Sequence, residues 1–295
     1  MKRSKISAGS AALLAAFLVG LFFLVYPSFS DWWNSARQSG VIDTYVRNVD
    51  TLDDGVRAQQ LKDAQLYNEA LLDEANRWHP TETFHNRYEQ TLNPSGDGVM
   101  CWLEIPKIGV ELPVYHGTDE AELQVAVGHI EGSSLPVGGA STHAVLSGHR
   151  GLPSARLLTD IDQLVEGDHF VVHTLGERYT YEVDQIRVVE PDQMDDLEIV
   201  EGQDLCTLVT CTPYGVNSHR LLVRGHRVAN DPIELAVEAD AVRVDPLRVV
   251  PFVAAPVLVA LFVIVLLRTR KRASSRATDR NQTPLGAHFD RKDER

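Results

Sequence analysis

Residues 207–220 read Thr-Leu-Val-Thr-Cys-Thr-Pro-Tyr-Gly-Val-Asn-Ser-His-Arg, and Ser147-Gly148-His149-Arg150-Gly151 lies well upstream. Together they place a thiol, an imidazole and a guanidinium on short strand-like stretches. Cysteine-based acyl transfer needs that set: a nucleophile, a proton acceptor within reach, and a positive charge where an oxyanion develops. Cys211 closes an apolar β-run just before Pro213 and Gly215, where a side chain can leave a core and face a cleft. A thiol attacks an amide well only as thiolate or with a base beside it. Eleven histidines compete for that role. His149 is favoured because it follows the apolar run Ala144-Val145-Leu146-Ser147 and is bracketed by Gly148 and Gly151, which permit close backbone approach. Alone, it would read as a turn histidine satisfied by backbone; with Cys211 and Arg220 in the same chain, catalysis is the stronger reading. Arg220 opens the apolar run Leu221-Leu222-Val223 and offers a rigid fork of donors. Arg224 and Arg227 are expected in surface ion pairs, and His219, adjacent to Arg220, should point to the opposite strand face.

No metal signature appears. His143 and His149 are six apart without an acidic or cysteine partner at ligand spacing, and neither a P-loop nor a Rossmann glycine pattern is present. No cofactor is expected. Three cysteines are too few for a disulfide scaffold. Cys206 and Cys211 on one strand would stand roughly 16 Å apart, too far to bridge. Cys101 and Cys206 sit in apolar strand patterns and read as buried thiols, which leaves Cys211 free.

The ends of the chain point to a membrane. Lys2, Arg3 and Lys5 precede an uncharged run, Ile6–Tyr26, long enough to span a bilayer and without an A-x-A-like cleavage site. An uncleaved anchor is expected over 6–27. A second uncharged run lies between Arg248 and Arg268, and Arg270, Lys271 and Arg272 follow it. Basic residues at the outer end of each run place both termini in the cytoplasm (1–5 and 268–295) and the middle outside. Residues 1–27 carry three basic and no acidic residues, and 268–295 carry nine and four. Subtracting these +8 charges from the chain's −13 leaves −21 between. Such an acidic ectodomain is a poor nucleic-acid binder. The tail after Arg272 is polar and charged, and disorder is expected there.

Residues 31–98 form a helical pre-domain by pattern. Val41, Tyr45, Val49 and Leu52 recur at helical spacing, as do Leu61, Ala64, Leu66, Tyr67, Leu71 and Leu72, with Asp54-Gly55 as the break. Residues 78–98 read as irregular. From Val99 the pattern changes to short strands: Met100–Ile105, Ala144–Ser147, Phe170–Thr174, Tyr179–Val189, Leu205–Cys211 and Arg220–Val228. Brief helical stretches are expected near 119–127 and 153–164. The fold class is mainly β, a barrel or sandwich over about 99–230. A linker (231–248) and a second membrane helix (249–267) follow.

These segments resemble a known family. Thr207-Leu208-Val209-Thr210-Cys211 is similar to the TLxTC signature of the sortases, transpeptidases of Gram-positive surfaces. Cys211-Thr212-Pro213-Tyr214-Gly215, Ser218–Gly225, Ile105–Ile108, Leu112–Thr118, Ser134–Gly139 and Ser147–Ala155 look like class C, the pilin-polymerising group, and the resemblance covers roughly 26–230. It implies a sortase-type eight-stranded β-barrel with an N-terminal helical segment, flanked by two transmembrane helices. It implies Cys211 as nucleophile, His149 as acid/base and Arg220 as oxyanion or substrate stabiliser, with Thr210, Thr212 and Tyr214 as substrate-binding candidates. The implied substrate is an LPxTG-like sorting signal cut at Thr–Gly. The implied acceptor is a lysine amine of another pilin. Class C members usually carry an Asp-Pro-aromatic lid. Here the matching stretch reads Trp78-His79-Pro80, which is either a variant lid with Trp78 over Cys211 or a loop whose Trp78 packs on the barrel side. The competing functions are a cell-wall-anchoring sortase with a peptidoglycan-precursor amine as acceptor, a non-catalytic membrane-tethered pilin scaffold, and a general cysteine protease.

Overall fold

In the computed structural model, the described residues are 8–152, 154–230 and 254–265. The chain divides into two compact units: residues 29–243, and residues 1–28 together with 244–295.

In the larger unit eight strands close into a barrel: β1 (Val99–Ile105), β2 (Val110–His116), β3 (Val127–His129), β4 (Thr142–Gly148), β5 (His169–Thr174), β6 (Glu177–Val189), β7 (Asp204–Thr212) and β8 (His219–Arg227). Their order around the barrel is β1-β2-β3-β4-β7-β8-β6-β5. Only β2–β3 and β4–β7 run parallel. Closure leaves no unpaired edge. Alternation along each strand builds the interior: Cys101, Leu103, Ala144, Leu146, Cys206, Leu208, Leu221 and Val223 all join one buried cluster. Cys101 and Cys206 are buried free thiols, as expected, and burial pushes both well above the ordinary thiol range.

The six expected strands are present. The reading missed β2 and β3. Pro113 and the 3₁₀ turn Pro106–Ile108 disguise the first, and the second is only three residues long. The helix expected near 119–127 is one turn, α4 (Glu120–Leu123), and among the described residues of 153–164 the only helical turn is the 3₁₀ turn Ile161–Gln163.

Three longer helices precede the barrel: α1 (Ala8–Asp50), α2 (Asp54–Leu72) and α3 (Glu82–Gln90). The stripe of Val41, Tyr45, Val49 and Leu52 does pack on the barrel core. The Tyr45 hydroxyl donates to Met100 O at 2.9 Å and accepts from Leu175 N at 2.9 Å. Asp53 caps α2 by accepting from Gly55 N. On α2, Ala64, Tyr67 and Leu71 are buried, whereas Leu66 and Leu72 are exposed and belong to no core stripe. Asn68 binds both backbone groups of Leu135 (3.0 and 2.7 Å), which docks α2 onto the loop before β4. The expectation of irregular structure over 78–98 is corrected by α3. Thr81 caps it, accepting from Phe84 N, and Glu82 sits in its first turn.

In the smaller unit, α1 contributes an apolar segment with mean hydropathy 2.2 over its best window, none of it buried. Ala254–Val265 is a second apolar helix, shorter than the ~20 residues a bilayer needs. The Phe17 and Phe262 rings stack with centroids 4.1 Å apart. The linker, the rest of the expected second membrane segment and the basic tail lie outside the described residues.

Candidate active site

The site is built on three neighbouring strands. β7 lies between β4, parallel to it, and β8, antiparallel to it. Cys211 pairs directly with Arg220 across β7–β8. Ser147 pairs with Val209 across β4–β7, so His149, two residues past Ser147, continues level with Cys211. Val145, Val209 and Leu222 form a second cluster on the strand face opposite the barrel interior. Cys211 and Arg220 stand two residues beyond Val209 and Leu222 along that face, and His149, just past the end of β4, stands four beyond Val145. The register therefore brings the three expected groups to one face of three adjacent strands.

Cys211 is free like the two core thiols but, unlike them, only half-buried. Its strand is tied to β4 where they part, by Thr210 Oγ1 donating to Gly148 O at 2.8 Å. Thr210 is only 2% exposed and shares the interior face with Cys206 and Leu208, with its hydroxyl engaged in that bond. Thr212 is half-buried, and its Oγ1 lies 3.4 Å from Arg150 Nη1. Tyr214 is 59% exposed. It lies against Gly151, where a Cβ would stand 2.8 Å from the Tyr214 ring, and Gly151 adopts φ +83°, so the glycine is needed there for both reasons.

His149 is 27% exposed at its side chain. Its Nε2 is buried, makes no hydrogen bond, and stands 3.5 Å from Glu120 Oε2 in the first turn of α4. Glu120 is a site residue that sequence reading missed, because only β2–β3 pairing brings α4 to the end of β4. The Arg220 guanidinium donates only to carbonyls, Asn217 O (3.4 Å) and His219 O (3.2 Å). Among the described residues it has no carboxylate partner. Arg224, by contrast, forks onto Asp184 at 3.0 and 3.1 Å, as expected of a surface pair. Arg227 departs from that expectation: it lies over the Tyr179 ring at 4.7 Å and donates to Arg178 O. His219 stands 3.5 Å from Glu190 and bonds Ser218, and it takes no part in the cluster. His143, excluded as a metal ligand, donates from Nδ1 to Glu198 O and accepts at Nε2 from Thr207 Oγ1. No cluster of metal-binding side chains occurs among the described residues.

Trp78 packs on the cluster of Val145, Val189, Leu197, Val209 and Leu222. The preceding Arg77 is buried. It donates to Gly132 O (3.2 Å) and Leu197 O (3.3 Å), pairs with Glu198 at 2.7 Å, and stacks on the Trp78 ring at 4.3 Å. Gly132 has φ +91°, and a Cβ there would meet Arg77 O at 2.3 Å. The segment is thus seated on the barrel, with the Trp78 ring close to Gly132. His79 is exposed and Pro80 half-buried ahead of the α3 cap.

Known proteins share this architecture. The sortase domain family model matches residues 103–228. Sortase C1 from Streptococcus agalactiae is 52% identical with TM-score 0.63, covering 65% of this chain and 99% of that one. Sortase C-1 from Actinomyces oris is 47% identical with TM-score 0.55, over 59% and 99%. Sortase D of Bacillus subtilis is 29% identical over 173 residues, 58% of this chain and 83% of that protein. The closed barrel, the shared face of β4, β7 and β8, and these likenesses together mean that the chain belongs to the sortases, a family of cysteine transpeptidases, with class C sortases as its structural neighbours.

Proposed function

We propose that this sortase cleaves an LPxTG-like sorting signal and transfers its threonine acyl group to a lysine amine of a pilin, building covalent pili. The observation that carries the reading is the common face of Cys211, His149 and Arg220. The Cys211 thiolate attacks the threonine carbonyl, and the tetrahedral oxyanion that forms meets the Arg220 guanidinium, which has no carboxylate to neutralise it. Collapse breaks the Thr–Gly bond, and His149 gives its proton to the departing glycine amine. A lysine amine then attacks the thioester, its proton passes to His149, and the isopeptide bond forms as the Cys211 thiolate leaves. Thr212, the last residue of β7, and Tyr214, on the loop after it, are the more accessible candidates to line the bound signal.

The chain is placed at the cell membrane, crossing twice, with the barrel outside. The apolar part of α1 supports the first crossing. Phe29, Trp32 and Trp33, all more than half exposed just past it, suit a membrane–water interface. The second crossing rests on the uncharged run 249–267 and its flanking basic residues.

Product analysis tests the reading. The full-length protein in detergent micelles is incubated with an LPxTG peptide and, separately, a lysine-bearing pilin peptide or a peptidoglycan-type amine. Transfer to the lysine is expected. Transfer only to the peptidoglycan amine would make it an anchoring enzyme, and hydrolysis regardless of amine would make it a protease.

A further inference from the structure

We infer that the first turns of α1 beyond its apolar segment are part of the catalytic framework, with Asn34, Asp31 and Gln38 acting as positioning residues for His149. The inference rests on His149 being the acid/base of the proposed reaction.

The residues 31, 34 and 38 fall at steps of three and four and occupy one helix face. They are the partly or fully buried positions in a stretch whose other residues, from Trp32 to Ser39, are exposed. Each makes a bond to a backbone group near the site. Asp31 Oδ1 accepts from Arg156 N at 3.0 Å. Asn34 Nδ2 donates to Ser154 O at 2.7 Å. Gln38 Nε2, on a residue only 8% exposed, donates to Val125 O at 2.7 Å.

The two backbone targets in the 150s belong to the loop that leaves His149. Its neck is closed by Leu158 N donating to His149 O at 3.2 Å. Arg150 continues the frame, donating to Thr159 O (3.1 Å) and Thr212 Oγ1 (3.4 Å) and pairing with Asp162. The loop therefore joins His149 to the residue after Cys211, and α1 holds its far side. Val125 ends the turn that carries Glu120, the carboxylate facing His149 Nε2. One helix face thus grips both segments that set the imidazole's place. A stability role alone would be met by apolar residues, as it is further along α1 at Val41 and Val49. Here the stripe turns polar where it meets the catalytic loop. Side-chain donors to a loop carbonyl fix its position more tightly than apolar contact, and acyl transfer is sensitive to such placement.

The test uses full-length protein in detergent micelles, with rates normalised to the titrated Cys211 thiol. Asn34→Asp keeps the shape but loses the donor, Asn34→Gln keeps a donor, Ser35→Ala is the exposed control, and His149→Ala reports on the underlying reading. Asn34→Asp is expected to lower kcat for peptide acylation about tenfold with KM unchanged, with Asn34→Gln within about threefold of wild type. Hydrogen exchange over 154–158 should rise in Asn34→Asp and not in Ser35→Ala. If His149→Ala is inactive and Asn34→Asp acylates like wild type, the positioning role is overturned while the function stands. If His149→Ala acylates like wild type, the acid/base reading fails and this inference falls with it.

Discussion

At the residue scale, three cysteines of one chain have different chemistry because of where alternation turns them. Cys101 and Cys206 face the barrel interior, where burial disfavours the thiolate, and Cys211 faces out. Iodoacetamide on the native protein should therefore add one label per chain, at Cys211; labelling of Cys101 or Cys206 before unfolding would contradict the assignment. Arg220→Ala should lower acylation by about 10²–10³-fold, the loss typical of an oxyanion partner. Arg220→Lys should recover only part of it, because an ammonium cannot reproduce the planar fork. These assignments were legible in the sequence because a β-strand has period two. Odd and even positions of 205–211 sort themselves once Cys206 and Leu208 are read as core. Thr210 shows the limit: it lies next to the nucleophile in sequence and on the other face in space. Glu120 was illegible because nothing local links it to His149.

At the scale of elements, the stretch from Arg77 to α3 is the candidate lid, and its seating is a matter of packing. The residues that would shape a lid were visible, yet whether Trp78 lay on Cys211 or on the barrel depended on tertiary packing. The ring packs on the cluster of Val145, Val189, Leu197, Val209 and Leu222, held by the ties of Arg77 to Gly132, Leu197 and Glu198. A gating role for this segment predicts that both Trp78→Ala and Arg77→Ala speed thiol labelling at Cys211, since either loosens its seat on the barrel. Unchanged rates in both variants would remove any gating role from this segment. The helix α3 was missed because Pro80, Asn93-Pro94 and Gly96 dominated the reading. The Thr81 cap followed by Glu82 was the signal available, and a capping motif outweighs a proline that merely precedes it.

For the whole molecule, the barrel rests on buried polar groups as well as apolar ones. His129 is fully buried and neutral: Nε2 donates to Ser134 O at 2.9 Å, and Nδ1 faces the Tyr88 hydroxyl at 3.0 Å. Burial pushes its pKa down to about 4. An unfolded chain takes up that proton from about pH 6.5 downward, and the folded one only near pH 4. The stabilisation is complete above 6.5 and is lost as pH falls, costing about 2 kcal/mol by pH 5. Burial acts in the same direction on His143. The half-buried Asp204 carboxyl, held above its usual range by desolvation, opposes this lower down, and the exposed His85, held above the ordinary histidine range by its hydrogen bond to Glu131, opposes it more weakly. Urea unfolding at pH 7, 6 and 5 should show falling stability, and a flat or rising profile would contradict the account. The fold class and six strands followed from period-two patterns separated by turns. The closed order β4-β7-β8 did not, because parallel pairing across sixty residues leaves no local trace. The central claim, that this barrel performs cysteine acyl transfer at Cys211, is tested most directly by intact mass. Full-length protein is mixed with an LPxTG peptide, alongside Cys211→Ala and Trp78→Ala. The account predicts a covalent adduct of the peptide through its threonine in wild type and none in Cys211→Ala. No adduct in either wild type or Trp78→Ala, or an adduct that persists without Cys211, would contradict it.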